Sequence, residues 1–286
     1  MTFGGFTHTI SRRTTFVAAV AVLIASCGWK TDGLERLDEV FPLPDASDAG
    51  VEIPDVQLGD VGGSGLPGHW AVLFYQPGKV HPAGMDPWGI TINDLFVADI
   101  DPAGTSASLT FCNQVVESES DMGLSTIPQK LIDALAASPV VIALSGGGTF
   151  GASDVAWLWG VQGLSNPVSD PLPKDKADSH VLDEDGDGNS GVTVEVKNPD
   201  GERYMVRRSV WDFKKAGLTA DNNWITGELE FTVEEHALDA TSALLKTVAP
   251  IEPSAKGASY VLRRVNPEYP CSSLADEWRG VFEGAP

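Results

Sequence analysis

The stretch with the densest chemical potential is Asp183-Glu184-Asp185-Gly186-Asp187-Gly188-Asn189-Ser190-Gly191. Alternate carboxylates in a tightly wound loop converge on one point. Their mutual repulsion is relieved when a hard, oxygen-seeking cation such as calcium sits among them. Gly188 allows the sharp reversal, and Asn189 can offer its backbone carbonyl. The expected ligands are therefore Asp183, Asp185, Asp187 and Asn189, with Glu195 as a further candidate just downstream. The alternative is a solvated acidic turn that holds no metal.

Carboxylates at positions 1, 3 and 5 with glycine at 6 resemble the first half of an EF-hand calcium loop. Position 12, where that loop places a bidentate Glu, is Val194, and Glu195 comes one residue late. A strand follows the loop, and Pro167, Pro171 and Pro173 upstream oppose an entering helix. The closer resemblance is to calcium loops of extracellular β proteins and thrombospondin-type repeats, which implies a stabilised turn and not an opening sensor.

A second possible centre is Ala143-Leu144-Ser145-Gly146-Gly147, which follows the apolar run Val140–Leu144. It resembles a nucleophile elbow, with His180 or His236 as base, and implies a serine hydrolase. The chain lacks alternating βα units and an upstream Gly-rich oxyanion loop, so the favoured reading is a strand ending in a Gly-rich hairpin. Gly146–Gly148 lacks a following Lys-Ser/Thr and is no phosphate loop.

The third reactive position is Cys27. Arg12 and Arg13 are the only charges before the apolar run Phe16–Ile24, which is shorter than the roughly 20 residues that span a bilayer. Ile24-Ala25-Ser26-Cys27 resembles the lipobox of bacterial lipoproteins, implying cleavage after residue 26 and acylation of Cys27. The alternative is an ordinary secretory signal cut nearby. Gly28, not Asp, follows the cysteine, which by the sorting pattern of that family implies the outer membrane. If Cys27 carries lipid, the other two of the 3 cysteines, Cys112 and Cys271, remain as a pair for an oxidising compartment. Two buried free thiols are the alternative.

Composition narrows the partners. The 286 residues carry 40 Asp and Glu against 19 Lys and Arg, a formal charge of −21. Nucleic acid is excluded as a partner, because neutralising phosphates requires clustered basic residues. Docking of the folded surface on anionic lipid is disfavoured for the same reason. A hydrophobic content of 42% is too rich for wholesale disorder.

Three segments follow: a signal peptide at 1–26, a tether at 27–67, and a single domain at 68–286. The tether is rich in Pro and Gly, and nine acids between Gly28 and Gly68 face only Lys30 and Arg36. Beyond it, short apolar segments are bounded by Gly, Pro, Asn and Asp. They predict strands over His69–Gln76, Ile90–Ile100, Ala107–Val116, Val140–Leu144, Val155–Gln162, Val192–Lys197, Arg203–Trp211, Trp224–Val233 and Ser259–Val265. Leu229, Phe231 and Val233 alternate with Glu228, Glu230 and Thr232, the mark of a sheet wetted on one face. Helical spacing predicts two short helices, Pro128–Ala137 and Glu234–Leu245. Trp157 and Trp159 share one strand face and are read as core. The fold class is all-β, an antiparallel barrel or sandwich with one or two short helices.

Gly68-His69-Trp70 at the start of the domain is similar to the Gly-x-Trp opening of lipocalin-like barrels. There the Trp closes one end and an Arg from the last strand packs across it. That resemblance implies a barrel end made of Gly68, Trp70 and Arg263, with Arg264 beside it in the same predicted strand. The functional expectation is a lipid-anchored cell-envelope protein with a binding or structural role. Its partners would be the membrane, through the N-terminal lipid, and a small apolar ligand or an envelope protein. The alternatives are a lipocalin-like carrier of a small apolar ligand and a hydrolase using Ser145.

Overall fold

The computed structural model describes residues 65–254 and 257–286; the lipobox with Cys27 and the tether up to residue 64 lie outside them. The domain is a curled antiparallel sheet that forms a half-barrel. Its strands are β1 (Gly68–Val80), β2 (Trp88–Ile100), β3 (Ser106–Ser118), β4 (Leu124–Thr126), β5 (Val140–Ala143), β6 (Phe150–Trp159), β7 (Val192–Lys197), β8 (Gly201–Ala216), β9 (Trp224–Ala240), β10 (Ile251–Pro253) and β11 (Ser259–Arg264). The spatial order is β4-β7-β8-β9-β11-β1-β2-β3-β5, with β10 beside the end of β1 and β6 beside β8. All nine predicted strands are present. Only β4 and β10 were too short to show a period.

β9 makes the curl. Its first residues pair with β11, as in Trp224↔Arg263 and Glu228↔Ser259. From Leu229↔Phe213 to Ala240↔Arg203 it pairs with β8 instead. One long strand thus belongs to both walls, and its alternation turns Leu229 and Phe231 inward while Glu228 and Glu230 face water. The inside is an aromatic core. Phe96 and Trp211 have ring centroids 5.9 Å apart, Trp157 lies 5.3 Å from Phe96, and Tyr260 lies 5.4 Å from Phe213. Trp157 and Trp159 are buried there, as their shared face predicted.

The outer faces are covered unequally. A helix α1 (Gln129–Ala136) adds Leu131 and Leu135 to the main core. A second helix, α2 (Cys271–Phe282), lays Leu274, Val281 and Phe282 on the outward residues Ala71, Leu73, Leu95, Val97 and Val261. A disulfide between Cys112 on β3 and Cys271, with Cα atoms 4.9 Å apart, ties the first turn of α2 to the sheet. The expected pairing of these two cysteines is therefore made. On the other wall, residues 160–191 lie over the outward side of β8, where Val161, Leu172 and Val206 form a small cluster.

Two expectations are corrected. Glu234–Leu245 is not a helix: β9 continues to Ala240, and only Ala243–Lys246 forms a single 3₁₀ turn. Pairing with β8 overrides the local spacing, because Glu234 and Glu235 meet Arg208 and Arg207 across the strands. The residue packed across Trp70 is Arg264, not Arg263. Trp70 pairs with Arg264 and Ala71 with Arg263, so the pleat sends Arg264 inward and Arg263 outward.

Candidate functional site

Residues 183–191 fill the last part of the connection between β6 and β7, directly before the first residue of β7. Asp183, Asp185 and Asp187 each bring one carboxylate oxygen within 4.8 Å of the others, the one such cluster of possible metal ligands among the described residues. The loop is shaped by its own side chains. Asp183 accepts hydrogen bonds from the Asp187 and Gly188 amides at 3.1 and 2.9 Å. Asp187 accepts from the Asn189 amide at 2.7 Å and from the Asn189 side chain at 3.1 Å. Gly188 has φ of 92°, the left-handed conformation expected at the reversal.

Two contacts fasten the loop to the sheet. Asp185 Oδ2 accepts the Thr193 amide at 2.9 Å, and the Thr193 hydroxyl donates to Asp187 Oδ2 at 2.5 Å. Behind the loop, Glu184 accepts the Gly160 amide at 2.6 Å. Gly160 and Gly191 touch backbone to backbone: a Cβ on Gly160 would stand 2.7 Å from Gly191 Cα, closer than side chains allow.

The electrostatics single out Asp185. It is only 7% exposed, and its Oδ1 is buried without any hydrogen-bond partner. Burial, then the charges of Asp187 and Asp183, pushes its carboxyl above the ordinary range despite the Thr193 bond. For Asp187, partial burial is outweighed by hydrogen bonds from Thr193 and Asn189, and its carboxyl lies below that range. An unpartnered buried carboxylate oxygen costs about 1–3 kcal/mol or more. A cation shared by the three carboxylates would remove that cost. The donor set is hard oxygen throughout and fits calcium better than zinc, which favours nitrogen and sulfur.

The expected ligand set is only partly assembled. Glu195 is exposed on β7, opposite Glu202 and Thr126, and is not in the cluster. Strand geometry carries it one residue pair beyond Thr193, whose side chain already occupies that edge of the loop. Asn189 is in the loop, with its side chain committed to Asp187. Thr193 is the hydrogen-bonding partner of the loop that sequence reasoning missed, since a hydroxyl on a strand carries no signal that it will reach back to Asp185 and Asp187.

Ser145 and the two histidines are not brought together. The Ser145 hydroxyl donates to the Gly151 carbonyl at 2.9 Å, on the link from β5 to β6, where three consecutive glycines have positive φ. His180 Nδ1 lies 2.9 Å from Asp178, and His236 lies 3.2 Å from Glu234. The link leads into a strand, so the elbow into a helix is not formed.

The interior is filled toward both ends of the half-barrel. At one end the Arg264 guanidinium stands 4.1 Å over the Trp70 ring. It donates to the carbonyls of Gly65 at 2.5 Å, Pro67 at 2.9 Å and Asn222 at 3.1 Å. Trp70 itself donates to the Leu66 carbonyl at 3.0 Å, so the incoming chain is stitched to the barrel end. Arg263 instead stacks on Trp224 at 4.8 Å and donates to the Gly280 and Val281 carbonyls at the end of α2.

Toward the other end the core turns polar, which the sequence reading did not anticipate. Fully buried Asp94 accepts from Gln76 at 2.6 Å and Gln114 at 2.5 Å. Gln76 accepts from the Trp211 indole at 3.1 Å, and Gln114 from Arg207 at 3.3 Å. Arg207 lies 4.5 Å over Trp159 and 3.6 Å from Glu235. Burial raises the Asp94 carboxyl, with the Arg207 charge and the two amides opposing it. Rings and this network line the inner face of the sheet.

Comparison with protein-family models, with curated proteins and with solved structures finds no match to this chain.

Proposed function

We propose that this chain is a lipid-anchored protein of the bacterial cell envelope whose β domain has a binding or structural role and is stabilised by calcium in the 183–191 loop. The observation that carries the metal part is Asp185 Oδ1, buried and unpartnered among three converging carboxylates. The envelope part rests on Ile24-Ala25-Ser26-Cys27 and is supported by the Cys112–Cys271 disulfide, which suits an oxidising compartment and leaves Cys27 free for lipid. Gly28 after that cysteine favours the outer membrane, and the acidic tether would keep the domain off a negative surface.

Both parts are testable in one preparation. Cys27→Ser should move the protein from the membrane fraction to the soluble fraction; a variant that stays membrane-bound refutes the anchor. Calcium sites of extracellular modules bind at roughly 10⁻⁴ to 10⁻³ M. At ten times the dissociation constant, binding to the folded form alone adds about 1.4 kcal/mol. That is a rise of a few degrees in Tm for a domain of this size. Asp185→Asn should abolish the rise and Glu195→Gln should preserve it. An unchanged Tm on adding calcium to chelator-stripped wild type would reduce the loop to a solvated acidic turn.

A further inference from the structure

The calcium loop sits at the neck of a larger excursion, and the contacts there give it a second consequence. The segment from residue 160 leaves β6, crosses the outward face of β8 and returns at residue 182. At its neck Val161 bridges Val181, the Gln162 amide donates to the His180 carbonyl at 2.8 Å, and the Leu182 amide to the Gly160 carbonyl at 2.9 Å. The 183–191 loop follows at once. It is joined back to the neck by Glu184 on Gly160 and by the Gly160–Gly191 contact, and forward to β7 by Thr193. Beyond the neck the excursion has no helix or strand of its own. Its apolar attachment is one satellite cluster, separate from the aromatic core: Val161, Leu164, Leu172 and Val181 against Leu158, Val206 and Leu238. Arg208 adds bonds to the Pro167 and Asp170 carbonyls, and Lys176 adds one exposed pair with Asp239.

We infer that calcium in this loop acts as a clasp: it holds the 160–182 flap closed over the outer face of β8, and its removal lets the flap open locally. This rests on the calcium reading above. The physical basis is linkage. Opening the neck separates Glu184 from Gly160 and Gly160 from Gly191, the contacts that brace the loop on both sides of Asp185, and pulls on Asp183 next to Leu182, so the open form holds the ion more weakly than the closed form. The three carboxylates, unpaired, then favour opening through their repulsion. An element held by a satellite cluster, with no helix or strand of its own beyond the neck, opens before the aromatic core does.

Trypsin provides the readout, because Lys174 and Lys176 are exposed on the flap while Lys214 and Lys215 belong to β8. The full-length protein is stripped with chelator, calcium binding is measured by titration calorimetry, and cleavage products are timed by mass spectrometry. Without calcium, cuts after Lys174 and Lys176 should precede those after Lys214 and Lys215. Calcium at ten times the dissociation constant should slow the flap cuts by up to about tenfold, the ratio by which a ligand specific to the closed form reduces the open population. Asp185→Asn should remove that protection. Calcium that binds without slowing the flap cuts overturns the clasp and leaves the calcium reading standing. Flap and core cuts appearing together in chelator overturn it too, since the flap would then open only by global unfolding. Absence of any calcium binding overturns both.

Discussion

Replacing Arg264 and Arg263 separately by Met tests the pleat assignment at the end of the half-barrel. Arg264 is 5% exposed, and three backbone carbonyls and one indole face are its partners. A hydrogen bond from a charged donor is worth about 1.5–3 kcal/mol, so three give roughly 6 kcal/mol gross. Desolvation of the guanidinium, the cause that lowers its pKa, offsets several kcal/mol of that. The Met side chain keeps part of the packing on Trp70. The net cost of Arg264→Met should be about 2–4 kcal/mol. Arg263 is less buried and holds only two carbonyls at the end of α2 besides its stack on Trp224. Arg263→Met should cost about 1 kcal/mol, in line with an exposed stack and partly solvated bonds. Urea unfolding followed by Trp fluorescence gives both values. Hydrogen exchange should show Arg264→Met releasing the chain at Leu66 and Trp70, and Arg263→Met loosening the last turn of α2. Equal costs, or a larger one for Arg263→Met, would refute the view that Arg264 seals the barrel end.

Two further outcomes are expected. Removing the disulfide with Cys112→Ala and Cys271→Ala should destabilise the domain by about 5 kcal/mol in the chain-entropy model for its sequence separation of 159. The corresponding fall in Tm is on the order of 10–20 °C; calorimetry showing a fall under a few degrees would mean that α2 docks independently of the bond. Asp94 should impose a pH dependence. Its folded pKa lies above the reference value of 3.8, so the folded state holds that proton more tightly. Its contribution is greatest below that value and is lost as pH rises through the folded pKa. The stability difference between wild type and Asp94→Asn should therefore shift against the wild type as pH rises above 3.8; urea titrations showing the opposite trend would refute the burial argument.

Local signals were legible where local forces decide. The alternation of β9 and the α1 spacing survive because each exposes one face and buries the other, whereas β1 and β2, buried on both faces, show as nearly continuous apolar runs. The acids at 183, 185 and 187 are adjacent in the chain, so their convergence follows from loop geometry alone. Thr193 joins them only because β7 starts where it does. Glu195 fell away because a strand, once paired with β8, cannot bend its next side chain back into the loop. Glu234–Leu245 carried helical spacing, yet β8 offered Arg207 and Arg208 as partners, and pairing won. The α2 helix was missed: Leu274, Trp278 and Val281 do repeat at helical intervals, but Pro270 and a short span made the pattern faint. The Asp94 network was illegible in principle, since Gln76, Asp94, Gln114, Arg207 and Trp211 come from four strands and meet only when the sheet curls.

The place of β1 has a consequence for how the chain reaches its native state. The first strand of the domain lies inside the sheet, with β2 on one side and β11 on the other, and the Val265 amide closes on the His69 carbonyl. A chain delivered from its N-terminus can pair β1 with β2 and β2 with β3 early. The other edge of β1 must then wait, with Trp70, Val72 and Phe74 uncovered on one side and Ala71 and Leu73 on the other, until β11 and α2 arrive. Folding is therefore governed by contacts between the two ends of the domain, a high-contact-order topology that is slow and exposed to aggregation. Truncation before Tyr260 would leave no partial domain behind. It would remove the strand that completes β1, the tyrosine and arginine that seal the core, and the cysteine that locks the end to the beginning.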